Sequence, residues 1–349
     1  MLDMNDICIS PSVSVRDAID AVDRGGQKTV FVVDKERHLL GLFTDGDMRR
    51  FILHNGDMQQ PVAVAMNPHP VVFHTREAAL EARDRERMVV YPIVNDEHIL
   101  LDAVFWAKNK GKNVISTALV DVPLVMMAGG KGTRLYPYTK VLPKPLIPIG
   151  DITISERIIN NFVRYGCRDV WMVLNYKGNM IKSYYDDLHP AYSIHYVKEK
   201  EFLGTGGGLS LLKGKVASTV FVSNCDILVD ADLECIYKVH KKNHNKITLV
   251  SVMKNMQIPY GVINLDAQGN IESMTEKPKF SFLTNTGVYV LEPEVIESIP
   301  DNHFIHLPDI VQRYLDAGER VGIFPVSENM WLDMGQLSEM EDMIKKLGL

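Results

Sequence analysis

Beyond residue 118 the chain alternates wholly apolar runs with stretches in which apolar positions recur at helical spacing. Residues 122–128 (VPLVMMA) are a continuous apolar run, as a strand buried on both faces requires. A glycine-rich segment follows, then a helical pattern over 155–165 and a second apolar strand over 170–174 (VWMVL). The alternation goes on with a strand over 219–223, a helix over 233–244 and a strand over 248–252. From Tyr260 onward the strands are expected to shorten, and 338–347 reads as a closing helix. Strands alternating with helices predict an α/β architecture, a mostly parallel sheet with helices on both faces.

The first 118 residues instead contain an internal repeat with a period of about 60. VRDAI at 15–19 recurs as TREAA at 75–79. FVVDKERHLLGLF at 31–43 recurs, one residue further out, as PIVNDEHILLDAV at 92–104. Each copy reads as a helix, an apolar strand, a charged turn and a second strand, an α+β unit. One copy alone leaves an apolar face uncovered, so the two are expected to pack together. KNKGKN at 108–113 is short, polar and contains glycine, the natural boundary. Three segments result: a first repeat over 1–60, a degenerate second repeat over 61–113 and a larger domain over 119–349.

Composition narrows the classes of function. Hydrophobic residues are 46% and charged residues 23% of the 349, values of a folded globular chain. The net charge of −6 divides evenly, −3 on each side of Val120. Without a basic balance or a charged tail, neither nucleic acid nor an anionic membrane is an expected partner. Cys8, Cys167, Cys225 and Cys235 form no CxxC pair and are read as reduced structural thiols. MLDMNDICISPSVSVRDAID has no signal-peptide apolar stretch, and no apolar run approaches ~18 residues. A cytoplasmic protein is expected.

The strongest chemical signal is MAGGKGTRLYPYTKVLPKPLIPIG, from Met127 to Gly150. Gly129, Gly130 and Gly132 directly follow the first buried strand, where glycine lets backbone N–H groups approach phosphate oxygens. Lys131, Arg134, Lys140 and Lys144 add cations around the same loop. It is no Walker A motif, because Gly-Lys-Ser/Thr is absent, and no dinucleotide fingerprint, because Leu135 stands where the third glycine belongs. Asn224-Cys225-Asp226 ends a strand, and Asp333 lies in Trp331-Leu332-Asp333-Met334-Gly335. Two carboxylates from distant segments suit magnesium, which takes one or two carboxylates plus substrate phosphates. His240 and His244 have helical spacing but no third ligand and are read as a solvated helix face. His303 and His306 are read as loop residues and the scattered methionines as core filling.

GGKGTRL…PKPLIPIG resembles the opening of the sugar-phosphate nucleotidylyltransferases, and the later motifs follow in that family's order. Glu276-Lys277-Pro278 matches its EKP, Asn285-Thr286-Gly287 its NTG, and the segment from Trp331 its WxDxG. The resemblance implies a Rossmann-like nucleotide-diphospho-sugar transferase fold. It implies that an NTP and a sugar 1-phosphate give an NDP-sugar and pyrophosphate. By the same resemblance Arg134 and Lys144 are catalytic, and Asp226 and Asp333 hold magnesium. Ala128, Gly129, Gly130, Gly132, Thr133, Gly204 and Thr205 bind the nucleotide. Gly261, Glu276, Lys277 and Asn285 contact the sugar phosphate.

The N-terminal repeat resembles a tandem CBS pair, carried by LLGLFTDGDMRR from Leu39 to Arg50. In that family a Thr-x-x-Asp bonds the ribose of an adenine nucleotide, here Thr44 and Asp47. At an offset of 61 the second repeat has Phe105 and Lys108 instead, so at most one adenosine site per chain is implied. CBS pairs commonly associate face to face, which implies a homo-oligomer. A CBS pair ahead of such a domain is similar to the guanylyltransferases that make GDP-glucosamine for legionaminic acid, a surface glycan sugar. GTP with glucosamine 1-phosphate is therefore the expected substrate pair. Mannose 1-phosphate with GTP, or glucose 1-phosphate with UTP, dTTP or CTP, are the alternatives. The rival class is a non-catalytic, nucleotide-sensing regulatory protein, against which the presence of Arg134, Lys144, Asp226 and Asp333 speaks.

Overall fold

A computed structural model describes residues 4–85, 88–105 and 116–349. The predicted boundary at 108–113, Lys108 included, lies outside them. By contact the chain divides into two compact units. One comprises Met1–Lys112 together with Met253–Thr284 and Pro325–Asn329. The other comprises Asn113–Val252, Asn285–Phe324 and Met330–Leu349.

In the first unit the internal repeat is visible in the hydrogen bonding. Thr29–Val33 pairs antiparallel with Leu39–Thr44, and Val90–Val94 pairs antiparallel with Leu100–Phe105. The two ladders correspond rung for rung. Thr29 faces Thr44 as Val90 faces Phe105, and the register slips at Val32/Val33 and again at Ile93/Val94. Helix Val15–Gly25 begins at Ser14, whose hydroxyl accepts from the Asp17 N–H, and ends at Gly26 in the left-handed region. It buries Val15, Ala18, Ile19 and Val22 against Val30, Val32 and Phe43, and Met253 joins the same core. A second core, with Phe31, Leu39 and Leu42 from one repeat and Val90, Val94 and Leu100 from the other, holds the two copies together.

Distant segments also complete this unit through polar contacts. Asp45, buried at the start of helix Asp45–Leu53, accepts from the Ser327 hydroxyl at 2.7 Å. Arg49 donates to the Pro325 carbonyl at 3.2 Å, and Lys254 pairs with Glu328 at 2.5 Å. Asp23 accepts from the backbone N–H groups of Asn329 and Glu328, while its Oδ1 is buried without a hydrogen-bond partner. Burial, with help from Asp45 and Glu328, pushes Asp23 up to about 7.

The second unit is built on a seven-stranded sheet in the order Ser193–Lys198, Asp169–Leu174, Leu124–Ala128, Val220–Asn224, Lys279–Leu291, Ile247–Gln257, Val321–Val326. The first four strands run parallel and Lys279–Leu291 runs antiparallel to Val220–Asn224. The fold is α/β with a mostly parallel sheet, as expected, and its central strands Leu124–Ala128 and Val220–Asn224 are apolar and buried almost throughout. Val125, Val173, Val222 and Leu291 supply one core cluster. Helix Ile154–Val163 opens with a capping box between Thr153 and Glu156.

Two readings are corrected. The strands do not simply shorten after Tyr260, since Lys279–Leu291 is 13 residues long. Its first half is mostly exposed, so no buried apolar run announces it. His240 is not on a solvated face but fully buried, its ring bonded to the Thr248 hydroxyl at 2.8 Å and to Glu292 at 3.1 Å. Burial pulls its pKa down. The four cysteines are free thiols, and Cys225 is pushed up to about 12 by burial. Among the described residues no helix is long and apolar enough to cross a membrane.

Candidate active site

The site is assembled at the ends of the parallel strands. Strand Leu124–Ala128 delivers the glycine loop, whose Leu135 is fully buried and anchors the far side. Gly132 has φ +64°, and a Cβ there would lie 2.9 Å from the Thr139 methyl and 3.3 Å from Lys144 Cβ. Only glycine lets the loop close onto Lys144 in this way. The Thr139 hydroxyl donates to the Gly132 carbonyl at 3.0 Å and fixes the turn. Thr133, Arg134 and Gly130 stay exposed, while Ala128 and Gly129 are buried at the strand end.

Asp226 follows strand Val220–Asn224, and the short strand Ile227–Val229 pairs antiparallel with Trp331–Asp333. Ile227 faces Asp333 in that register, and the Met334 N–H donates to the Asp226 carbonyl at 2.9 Å. Two carboxylates 107 residues apart in sequence are thus brought to one place. Lys144, itself buried, forms an ion pair with Asp226. Asp333 keeps one buried oxygen, Oδ1, with no hydrogen-bond partner among the described residues. Burial raises the Asp333 pKa to about 6, with further push from Asp226 and Glu339 and opposition from Lys144 and Arg134. A pair of carboxylates with an unclaimed oxygen is the hard donor set that suits a magnesium ion.

Arg134, Thr205, Asn224, Asp226, Asn285 and Asp333 line a single cleft of about 230 Å³. The motifs also touch one another, since the Trp331 indole N–H donates to the Thr286 carbonyl at 3.3 Å. Gly204 opens the short helix Gly204–Gly207, which is tied down from His306: the Thr205 N–H meets its Nδ1 at 3.4 Å. Gly261, Glu276 and Lys277 belong to the other unit. There Gly261 and Glu276 approach each other, and the Lys277 N–H donates to the Tyr260 carbonyl at 3.2 Å. Thr44 and Asp47 form a capping box on helix Asp45–Leu53, with Arg50 on Asp47 at 2.5 Å.

Sequence reasoning missed three residues. Glu339, in the first turn of helix Leu337–Leu347, has a buried unpartnered oxygen and pushes on Asp333. Glu199 is buried and accepts from the Leu203 N–H at 3.2 Å, bracing the segment before Gly204. His306 was set aside as a loop residue. Their short distances in sequence from Asp333, Gly204 and helix Leu307–Asp316 were the available signals.

The profile of the nucleotidyl transferase family matches residues 124–348, and that of the CBS domain matches residues 3–54. The chain belongs to the nucleotidyl transferase family. This nucleotidyl transferase is 32% identical over 213 residues to the D-glycero-alpha-D-manno-heptose 1-phosphate guanylyltransferase of Campylobacter jejuni, covering 60% of this chain and 93% of that one. It is 31% identical over 220 residues to a mannose-1-phosphate guanylyltransferase of Mycobacterium tuberculosis, covering 62% of this chain and 61% of that one. It spans 60% of a UTP–glucose-1-phosphate uridylyltransferase of Synechocystis at 29% identity. The chain thus spans only about three fifths of the mycobacterial and Synechocystis relatives. Its fold is similar to that of HddC from Yersinia pseudotuberculosis, with a TM-score of 0.52 and 23% identity over 65% of this chain and 99% of that one.

Proposed function

We propose that this nucleotidyl transferase is a sugar-1-phosphate guanylyltransferase, joining GTP to glucosamine 1-phosphate and releasing pyrophosphate. The observation that carries the reading is the cleft in which Arg134, Asp226 and Asp333 meet, with Lys144 paired to Asp226. A sugar phosphate is already largely ionised at neutral pH, so its oxygen attacks the α-phosphorus without a general base. The new P–O bond forms as the bond to the β-phosphate oxygen breaks, and pyrophosphate carries away the electron pair. Arg134 and Lys144 balance the charge that gathers on the phosphates. Asp226 and Asp333 would hold magnesium, which supplies Lewis-acid charge neutralisation when bound. The backbone of Ala128, Gly129, Gly130, Gly132 and Thr133 cradles the nucleotide with Gly204 and Thr205. Asn285, on the wall of the cleft, would take the sugar phosphate.

Guanine is supported by the guanylyltransferase names of the Mycobacterium tuberculosis and Campylobacter jejuni relatives, at 31% and 32% identity. Glucosamine rests on the N-terminal CBS match ahead of the transferase region, and mannose or heptose 1-phosphate is the competing acceptor. The product suits cytoplasmic nucleotide-sugar supply for a surface glycan. We read 1–60 and 61–113 as the CBS pair and 119–349 as the transferase domain. The pair would take one adenine nucleotide, at Thr44 and Asp47. The test is a matrix of GTP, ATP, UTP, CTP and dTTP against glucosamine, mannose, heptose and glucose 1-phosphates, read by pyrophosphate release. GTP with glucosamine 1-phosphate is expected to be fastest. Preference for another nucleotide overturns the guanylyl assignment, and no release with any pair overturns the enzyme reading.

A further inference from the structure

Between Met253 and Thr284 the chain forms an antiparallel ribbon, Val262–Leu265 with Ile271–Thr275, that among the described residues belongs to no larger sheet. Its turn is well made: Asp266 accepts from the Gln268 and Asn270 N–H groups at 2.9 and 2.8 Å, and Gly269 takes φ +86°. The root is fixed within the same unit. Asn255 donates to Asp20 at 2.5 Å, Arg16 donates to the Lys279 carbonyl at 2.7 Å, and Met253 lies in the core beneath helix Val15–Gly25.

The ribbon's two faces differ. Ile263 lies opposite Met274 and Leu265 opposite Ile271, so all four share one face. The other face carries Val262 and Asn264 opposite Thr275 and Ser273. The four apolar side chains are 51%, 67%, 61% and 66% exposed in that pairing order. A lone two-stranded ribbon is marginal in water, so a formed ribbon with a bare aliphatic face implies a cover.

The geometry points to a second copy of this chain as that cover, the two ribbons packing apolar face to apolar face about a two-fold axis. The centre of the face is purely aliphatic. Its four paired positions carry neither a charge nor an aromatic ring, and the one charged residue between them in sequence, Glu272, is left unpaired where the register slips between Asn264 and Leu265. The face is therefore complementary to an aliphatic face of its own outline, and its own copy supplies one. Four large aliphatic side chains so exposed offer on the order of 400 Å². The ~800 Å² per partner of a standard interface would also take exposed residues just before the ribbon in sequence, such as Met256 and Tyr260, 63% and 74% exposed.

Sedimentation of the full chain at micromolar concentration tests this without reference to catalysis. The wild type is expected as a dimer. Ile271→Glu, or the milder Met274→Gln should the first fail to fold, is expected as a monomer with an unchanged melting temperature. Asn264→Lys, on the opposite face, is expected to stay dimeric. A folded Ile271→Glu or Met274→Gln variant that remains fully dimeric overturns the proposal, because assembly then uses another surface. A wild-type monomer overturns it too. Ribbon amides that exchange freely in that monomer would leave the face to a different protein, and protected ones to another part of the chain.

Discussion

Each unit buries a cluster of carboxylates among a few cations, yet the two are built for different ends. In the transferase unit Asp226, Asp333 and Glu339 lie with Lys144 and Arg134. In the N-terminal unit Asp23, Asp45 and Glu328 lie with Lys28, Arg49 and Lys254. Burial raises Asp333 in one and both Asp23 and Asp45 in the other, and each cluster leaves a buried oxygen without a partner among the described residues. By these measures alone they are twins. The surroundings separate them. Asp23 and Asp45 are spent on local donors, the Asn329 and Glu328 amides and the Ser327 hydroxyl. Asp226 and Asp333 border a cleft of about 230 Å³ together with an exposed arginine. A perturbed carboxylate thus reports burial, and only an adjoining space with convergent charge makes it a candidate for chemistry.

Neutralising one carboxylate in each cluster is the strongest way to break the comparison. Asp226→Asn or Asp333→Asn is expected to cut turnover by ~10²-fold or more with the fold retained. Full activity of either purified variant in magnesium would erase the distinction. The cations sharpen it. Arg134→Ala is expected to lose ~10-fold or more in rate at an unchanged melting temperature, since its side chain is exposed. Lys144→Ala strands Asp226 in a mostly buried setting, so rate and melting temperature are expected to fall together. Initial rates and thermal melts on the same preparations separate these outcomes.

On the N-terminal side the expected effects are smaller and concern stability. Asp23 has a folded-state pKa near 7, above its unfolded value, so folding takes up a proton between about pH 4 and 7. Wild-type stability is expected to decline as pH rises through that window and to level off above it. Asp23→Asn removes this slope and is expected to stabilise the chain at pH 8 by about 1–3 kcal/mol, with little change at pH 4. Denaturant melts at the two pH values measure it, and a parallel slope in the variant would contradict the cause given. Asp47→Ala, two residues beyond Asp45, loses half of a capping box worth ~1 kcal/mol. Calorimetry with AMP, ADP and ATP is expected to find one site per chain in the wild type and none in this variant. Two sites, or unaltered binding, would refute the single-site reading.

Much of the transferase unit was legible because its central strands are apolar on both faces and its motifs sit at strand ends. Val122–Ala128 could hardly be anything but a buried strand once the glycines followed it. The cleft-lining role of Asp226 and Asp333 was readable from motif order, but their cross-strand register was not, because it depends on pairing between segments over a hundred residues apart. Glu339 and Glu199 were missed for a related reason: a buried carboxylate is defined by donors and repulsions that local spacing does not encode. His240 misled because its neighbours Lys241 and Lys242 are solvent-facing types, while Thr248 and Glu292, which satisfy its ring, come from elsewhere in the chain. In the N-terminal unit the repeat itself was plain. That Met253 and Ser327 belong to it was not, since neither lies in the repeat.

That discontinuity has a consequence for biosynthesis. Asp45 leaves the ribosome 282 residues before Ser327, the hydroxyl that satisfies it. At ~5–20 residues per second the interval is on the order of tens of seconds. For the first 208 residues of that interval helix Val15–Gly25 lacks Met253 against its core, and throughout it the Asp23 and Asp45 carboxylates lack their Pro325–Asn329 donors. The repeats that emerge first are therefore finished only after most of the transferase unit has been made, and until then they are natural clients for a chaperone and early targets for a protease.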